Sequence, residues 1–189
     1  MIVIYASGGQ RTYYTDNPRI NCMPETAIIA ELIPHIDQTY RTQAKRDGRA
    51  IAGMSMGGFG ALKFAFKYPE LFSSVTAFAP GIRDAESFAK DRPDILKRMF
   101  KDDPAVYAAN HPATLLKKNL EQIKDKLPIS IYVGKADYLL AGSQALHQAL
   151  TELKVEHSYQ EFDDIKHDLT KLSAQTKETP FSFAAKNFK

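Results

Sequence analysis

Three residues of this chain are of the types, and in the order, that acyl chemistry needs. Ser55 stands in Gly53-Met54-Ser55-Met56-Gly57, Asp137 in "YVGKADYLL" and His167 in "EFDDIKHDL". A serine hydroxyl is a weak nucleophile at neutral pH, so it needs a base, and the base needs a group that holds its ring in one tautomer. For a serine presented on a strand-to-helix turn, the expected order is serine, then an acid, then histidine. Asp137 and His167 supply that order, each a few residues past an apolar, β-branched run.

The small residues around Ser55 have two readings. Glycines in "GMSMGGFGALKFAF" let a helix pack closely on a strand. They also remove the side chains that would clash around a serine held in strained backbone, and they leave its hydroxyl exposed at the strand end. The strand pattern before the motif and the helix pattern after it favour the second reading. The Met56 N–H, at the start of that helix, is then placed to stabilise an oxyanion. The other histidines read as structural: His35 and His147 lie in helix patterns, His111 precedes a proline and His157 opens a strand. Asp163 and Asp164 stand too near His167 to come from a separate strand end, and Asp168 is placed to orient the histidine loop.

These residues must be positioned by alternating strands and helices. Strands are expected at Ile2 to Ala6, Arg49 to Gly53, Ser74 to Ala79, Ile129 to Val133 and His157 to Phe162. Near-continuous apolar runs of this length suit parallel strands covered on both faces. Helical spacing marks residues 25 to 42, with Pro34 as a kink, then 56 to 68, 139 to 153 and a tail helix around 176 to 188. The pattern predicts an α/β fold, an open and mostly parallel sheet flanked by helices, in one domain spanning residues 1–189. The stretch from 83 to 120 carries no strand pattern and is expected to be a lid-like insertion over the strand ends.

With 189 residues the chain can bury a full core. The net charge of +3 is small and mixed, which argues against a nucleic-acid or membrane surface. Cys22 is the single cysteine, so no intrachain disulfide and no thiolate metal cluster can form. Neither a metal nor an organic cofactor is implied. No apolar run approaches a membrane span, and the N-terminus lacks a signal-peptide pattern. That places the chain in the cytoplasm if the N-terminus is genuine, and outside the cell if a leader has been lost.

With these residues placed, the chain resembles the esterase family of α/β-hydrolases that includes esterase D-type enzymes, the feruloyl and acetyl-xylan esterases of carbohydrate esterase family 1, and the mycolyltransferases. "IVIYASGGQRTYYTDN" is similar to the family's strand and glycine-rich turn, and "AELIPHIDQTYRT" to the helix that follows. "RAIAGMSMGGFGALKFAFKYPELFSSVTAFAPG" is similar to its nucleophile block, and "IYVGKADYLL" and "HSYQEFDDIKHD" to its acid and histidine blocks. The resemblance implies Ser55 as nucleophile, Asp137 as acid, His167 as base and the Met56 N–H as one oxyanion donor. It implies a serine carboxylic-ester hydrolase acting on short acyl, carbohydrate-linked or feruloyl-type esters, with acyl transfer or a weak or non-catalytic binding module as alternatives.

Two departures stand out. Lys166 occupies the position where the family usually has glycine before its histidine. The family's further N-terminal strands, and the loop that gives the second oxyanion donor, have no counterpart here. One missing strand would lie between Ile2–Ala6 and the strand of Ser55. The two flanking strands could pair directly, with Ser7, Gly8 and Gly9 giving the second donor. A partner chain, such as a second copy in a homodimer, could complete the sheet, or the sequence could be a fragment. With no tryptophan present, aromatic contact with a substrate falls to phenylalanine or tyrosine, such as Tyr138 beside the acid, Tyr13 or Tyr14.

Overall fold

The computed structural model describes residues 1–176 and 179–189. Four strands, β1 (Ala50–Met54), β2 (Ser74–Phe78), β3 (Ile129–Gly134) and β4 (Ser158–Phe162), form one parallel sheet in the order β1-β2-β3-β4. The register runs Gly53 to Ala77, Ala77 to Ile131 and Ile131 to Tyr159. Parallel neighbours need crossovers. Here β1 is followed by α3 (Met56–Lys67) and β3 by α9 (Leu140–Glu152), close to the spans that the periodicity predicts.

Side chains alternate between the two faces of the sheet. Val75, Ala77, Ile129 and Ile131 join Phe59, Leu62 and Phe66 of α3 and Leu146 and Leu150 of α9 in the main core. Phe78 and Tyr132 face the other way and cluster with Ile165 and Leu172, the latter from α10 (Leu169–Gln175). The last helix, α11 (Pro180–Asn187), packs against β1 and β2. The expected tail helix around 176 to 188 corresponds to α11 alone, α10 being a further helix that the pattern did not predict; residues 177 and 178 lie outside the described residues.

The segment 83–120 forms α4 (Ala85–Asp91), α5 (Pro93–Met99), α6 (Pro104–Ala109) and α7 (Pro112–Lys118), leading into α8 (Leu120–Ile123). It carries no strand, as expected, and most of it is built into the core. Phe88, Met99, Phe100, Tyr107 and Leu116 belong to the same buried cluster as α3. This explains why α3 is buried along Gly58–Phe66, since the sheet covers one side and these helices another.

Before β1, α1 (Pro24–Thr26) and α2 (Ile33–Thr39) flank a π-helical turn, Ala27–Leu32. The Ile33 N–H reaches back five residues to the Ile28 carbonyl. Widening the turn just ahead of Pro34 accommodates a residue that has no N–H to give and would crowd the preceding turn.

One predicted strand does not form. Ile2–Ala6 has no regular secondary structure; Tyr5 is 89% exposed, and Ile2, Val3 and Ile4 are between 43% and 49% exposed. Direct pairing with the strand of Ser55 therefore does not occur. β1 pairs with β2 and, among the described residues, with no strand on its outer side. A strand exists only through a neighbour's hydrogen bonds, and this segment pairs with no strand of the sheet.

Candidate active site

Ser55 is the turn between β1 and α3, with φ 56° and ψ −121°. That left-handed backbone is costly for a residue with a side chain, about 1–3 kcal/mol, and the surroundings hold it. Its N–H donates to the Phe78 carbonyl at 2.9 Å, and its carbonyl accepts from Phe59 at 3.0 Å and Gly81 at 2.7 Å. Gly53 is required for packing reasons, because a Cβ there would stand 2.2 Å from the Gly57 carbonyl oxygen.

The three residues singled out by sequence meet at the carboxyl ends of β1, β3 and β4. His167 Nε2 lies 2.9 Å from Ser55 Oγ, and His167 Nδ1 lies 2.8 Å from Asp137 Oδ2. The Asp137 side chain is fully buried, and its other oxygen accepts the Leu139 N–H at 2.8 Å. A carboxylate can only accept, so Nδ1 carries the proton and Nε2 presents a lone pair to the serine O–H. This geometry can draw the proton from Ser55 as its oxygen attacks a carbonyl carbon.

Backbone bonds lace the acid and histidine loops together. Lys135 N–H donates to the Phe162 carbonyl at 2.8 Å and Ala136 N–H to the Ile165 carbonyl at 3.1 Å. Gly134, at the end of β3, makes this approach feasible: a Cβ there would lie 2.0 Å from the Ile165 carbonyl oxygen. Sequence reasoning passed over Gly134, although a glycine ending a strand three residues before the acid was a usable signal. Lys166 takes no left-handed backbone, so this position does not demand the glycine that the family usually has.

The remaining candidates sort clearly. Asp168 caps α10 by accepting the Lys171 N–H, and Asp163 pairs with Lys135 on the surface. His111 caps α7 through Nδ1, with burial pushing its pKa down to about 4. His147 and His157 bond each other at 2.7 Å, and His35 is exposed.

Tyr138 is exposed, with its ring centroid 4.8 Å from that of His167. Tyr13, expected to face the substrate, is a core residue instead. It is 6% exposed and packs edge-on to Phe59 and Phe88, because the aromatic residues of the 83–120 segment close around it. Tyr14 is wedged between Gly8 and Gly60, where a Cβ on either glycine would meet its ring at 2.4 Å. The Gly9 N–H, an expected oxyanion donor, is given to Ser7 Oγ at 3.2 Å.

Sequence reasoning also missed a buried charge cluster. Lys63 of α3 donates to Glu25 Oε2 at 2.7 Å, to the Tyr14 carbonyl at 2.7 Å and to Thr15 Oγ1 at 2.8 Å. Lys67 and Tyr68 donate to the other Glu25 oxygen at 2.5 and 2.6 Å. Burial works to raise the Glu25 carboxyl, but these donors outweigh it and hold it below its ordinary value. The cluster pins the loop of Tyr14 and Thr15 to the helix that Ser55 begins. Two surface depressions, about 350 Å³ beside Arg46 and about 380 Å³ beside Glu25, lie apart from this chemistry, and neither is lined by Ser55, Asp137 or His167.

Comparison with known proteins supplies the family. The profile described as "Putative esterase" matches residues 1–183. The chain belongs to that esterase family. An esterase of Mycobacterium tuberculosis is 44% identical over 80 residues, covering 41% of this chain and 18% of its own length. An acetyl esterase of Caldicellulosiruptor saccharolyticus is 24% identical over 176 residues, covering 88% of this chain and 66% of its own. A solved ferulic acid esterase superposes with a TM-score of 0.73 at 23% identity, covering 93% of this chain and 64% of its own. This last likeness shows the α/β-hydrolase fold. The chain spans less than two thirds of that structure and under a fifth of the mycobacterial relative.

Proposed function

We propose that this chain is a serine carboxylic-ester hydrolase with Ser55 as nucleophile, His167 as general base and then acid, and Asp137 as the residue that orients the imidazole. The observation that carries the reading is the unbroken hydrogen-bonded line from Asp137 through His167 to Ser55 at three strand ends. Ser55 Oγ attacks the ester carbonyl while its proton passes to His167 Nε2. The C–O bond to the alcohol breaks as the imidazolium returns that proton to the leaving oxygen. Water, deprotonated by the same nitrogen, then attacks the acyl-enzyme and releases the acid. The Met56 N–H, beside Ser55 at the opening of α3, is the first oxyanion donor.

Short acyl and carbohydrate-linked or feruloyl-type esters are the proposed substrate class, in line with the acetyl esterase and ferulic acid esterase among the similar proteins. The test is hydrolysis of p-nitrophenyl acetate combined with a fluorophosphonate probe. Ser55→Ala should lose both turnover and labelling, with turnover down about 10⁴-fold or more. Labelling at another residue, or full turnover in the variant, would overturn the reading.

A further inference from the structure

The loop after β2 brings a cation to the edge of the site. Gly81 donates its N–H to the Ser55 carbonyl, and two residues later the Arg83 guanidinium lies over the ring of Tyr138 at 5.7 Å. Tyr138 in turn rests against His167. One aromatic ring therefore separates Arg83 from the imidazole beside Ser55.

This arginine keeps donors that the protein does not use. Its side chain is 12% exposed, and its one ion pair among the described residues is a 3.5 Å contact from Nε to Asp91, which is half exposed. Its two Nη nitrogens make no hydrogen bond or ion pair among the described residues. Asp84, the adjacent carboxylate, is turned to the Ser87 N–H and hydroxyl at the start of α4. Arg92 adds a second positive charge nearby: its guanidinium hydrogen-bonds the Tyr13 hydroxyl, on which the Arg83 charge also acts. The Arg92 guanidinium donates to the Asp91 carbonyl oxygen and has no carboxylate partner among the described residues. A guanidinium whose Nη donors are not taken up by the protein can receive an arriving carboxylate in a fork.

We propose that Arg83, reinforced by Arg92 and flanked by Tyr138, is an anion subsite, so that the preferred ester carries a carboxylate a few atoms from its scissile carbonyl. The proposal rests on the esterase reading above and names the substrate class for that same site. The carboxylate belongs to either the acyl or the alcohol half of the ester, and two matched pairs tell these apart. Mono-p-nitrophenyl glutarate against p-nitrophenyl valerate places the charge on the acyl side. 3-Carboxyphenyl acetate against phenyl acetate places it on the alcohol side.

The readout is the ratio of kcat/KM for the charged and neutral members of each pair. In the parent chain the ratio should exceed one for at least one pair and should fall as salt is raised. Arg83→Gln should lower that ratio roughly tenfold or more, the scale of a charge-assisted hydrogen bond, and Arg83→Lys should recover part of it. Asp91→Asn should raise the ratio by freeing the guanidinium, a shift opposite in sign to Arg83→Gln. A purely structural Arg83–Asp91 pair would move the ratio the same way in both variants, or not at all, and that result overturns the subsite. So does a parent chain that favours the neutral ester in both pairs. Fluorophosphonate labelling of Ser55 in each variant reports that the site is intact. A parent chain that hydrolyses no ester and is not labelled at Ser55 rejects the esterase reading itself, and this proposal with it.

Discussion

The two sides of β1 differ in whether a strand covers them. Its inner side pairs with β2 from Ala50 opposite Ser74 to Met54 opposite Phe78, and it delivers Ser55 to the site. Its outer side faces no strand among the described residues, and the apolar segment Ile2–Ile4 lies exposed. The contrast separates two parts of the proposed chemistry. The proposed nucleophile, acid and base come from the ends of β1, β3 and β4, all of which are in place. Of the second oxyanion donors that the sequence suggested, the Gly9 N–H is already given to Ser7 Oγ. A donor of that kind contributes about 3 kcal/mol, so the proposal predicts a weakened esterase rather than an inert protein.

The largest expected effect tests the intact side. Asp137→Asn preserves the shape of the acid but stabilises the wrong tautomer of His167, and kcat on p-nitrophenyl acetate should fall about 10⁴-fold. A fall of less than tenfold would mean that the hydrogen-bonded line does not carry the reaction.

Next in size is the anchor that ties the N-terminal loop to α3. Glu25→Gln leaves Lys63 buried and without its carboxylate, and urea unfolding should show a loss of about 3–5 kcal/mol. Replacing both residues together, Glu25→Leu with Lys63→Met, should recover much of that loss. The pH dependence has a definite sign. Glu25 sits below its ordinary value of 4.5 in the folded chain, so its contribution is fully present above that pH and is lost as pH falls through the folded value. Glu25→Gln should flatten this acid limb; an unchanged limb would assign it to other carboxylates.

How much of this could be read from the sequence depends on how local the cause is. Ser55, Asp137 and His167 were legible because each follows its own strand, and a strand-then-loop pattern is written in consecutive residues. The four strands that form were legible for the same reason, and so were α3 and α9. Ile2–Ala6 looks as strand-like as any of them, but its pairing depends on a neighbour that its own residues do not specify. Tyr13 failed in a similar way: its burial is decided by Phe88 and Tyr107, far along the chain and inside a segment that the pattern reads as a cover. The Lys63–Glu25 pair joins residues 38 positions apart, and in a helix pattern a lysine reads as solvent-facing.

A smaller effect should come from Gly134→Ala. The added Cβ would meet the Ile165 carbonyl oxygen, and the histidine loop must move to relieve it. A displacement near 1 Å at His167 costs on the order of 10²-fold in turnover, while overpacking of this kind costs about 1–3 kcal/mol in stability. Gly48→Ala is the useful comparison: its added Cβ is also crowded, by Gln43, yet it lies before β1 and away from the triad. If the two variants lose the same fraction of activity, close approach at Gly134 is not what positions the base.

The smallest effect on stability belongs to the outer side of β1. Ile2, Val3 and Ile4 are about half exposed and belong to neither core cluster, so changing all three to serine should alter the unfolding free energy by less than about 1 kcal/mol each. The same variant tests the association of copies. An unpaired strand edge and an unpaired apolar, β-branched segment are complementary, and edges of this kind recruit strands from other chains. Light scattering should therefore show the parent rising above its monomer mass of 21.2 kDa with concentration, and the triple-serine variant staying at it. If the parent remains monomeric throughout, the outer side of β1 is not closed by a second copy through this segment. If both associate equally, another surface joins them. Either result decides how the outer side of β1 is used, and neither touches Ser55, Asp137 and His167, which follow strands of the paired sheet.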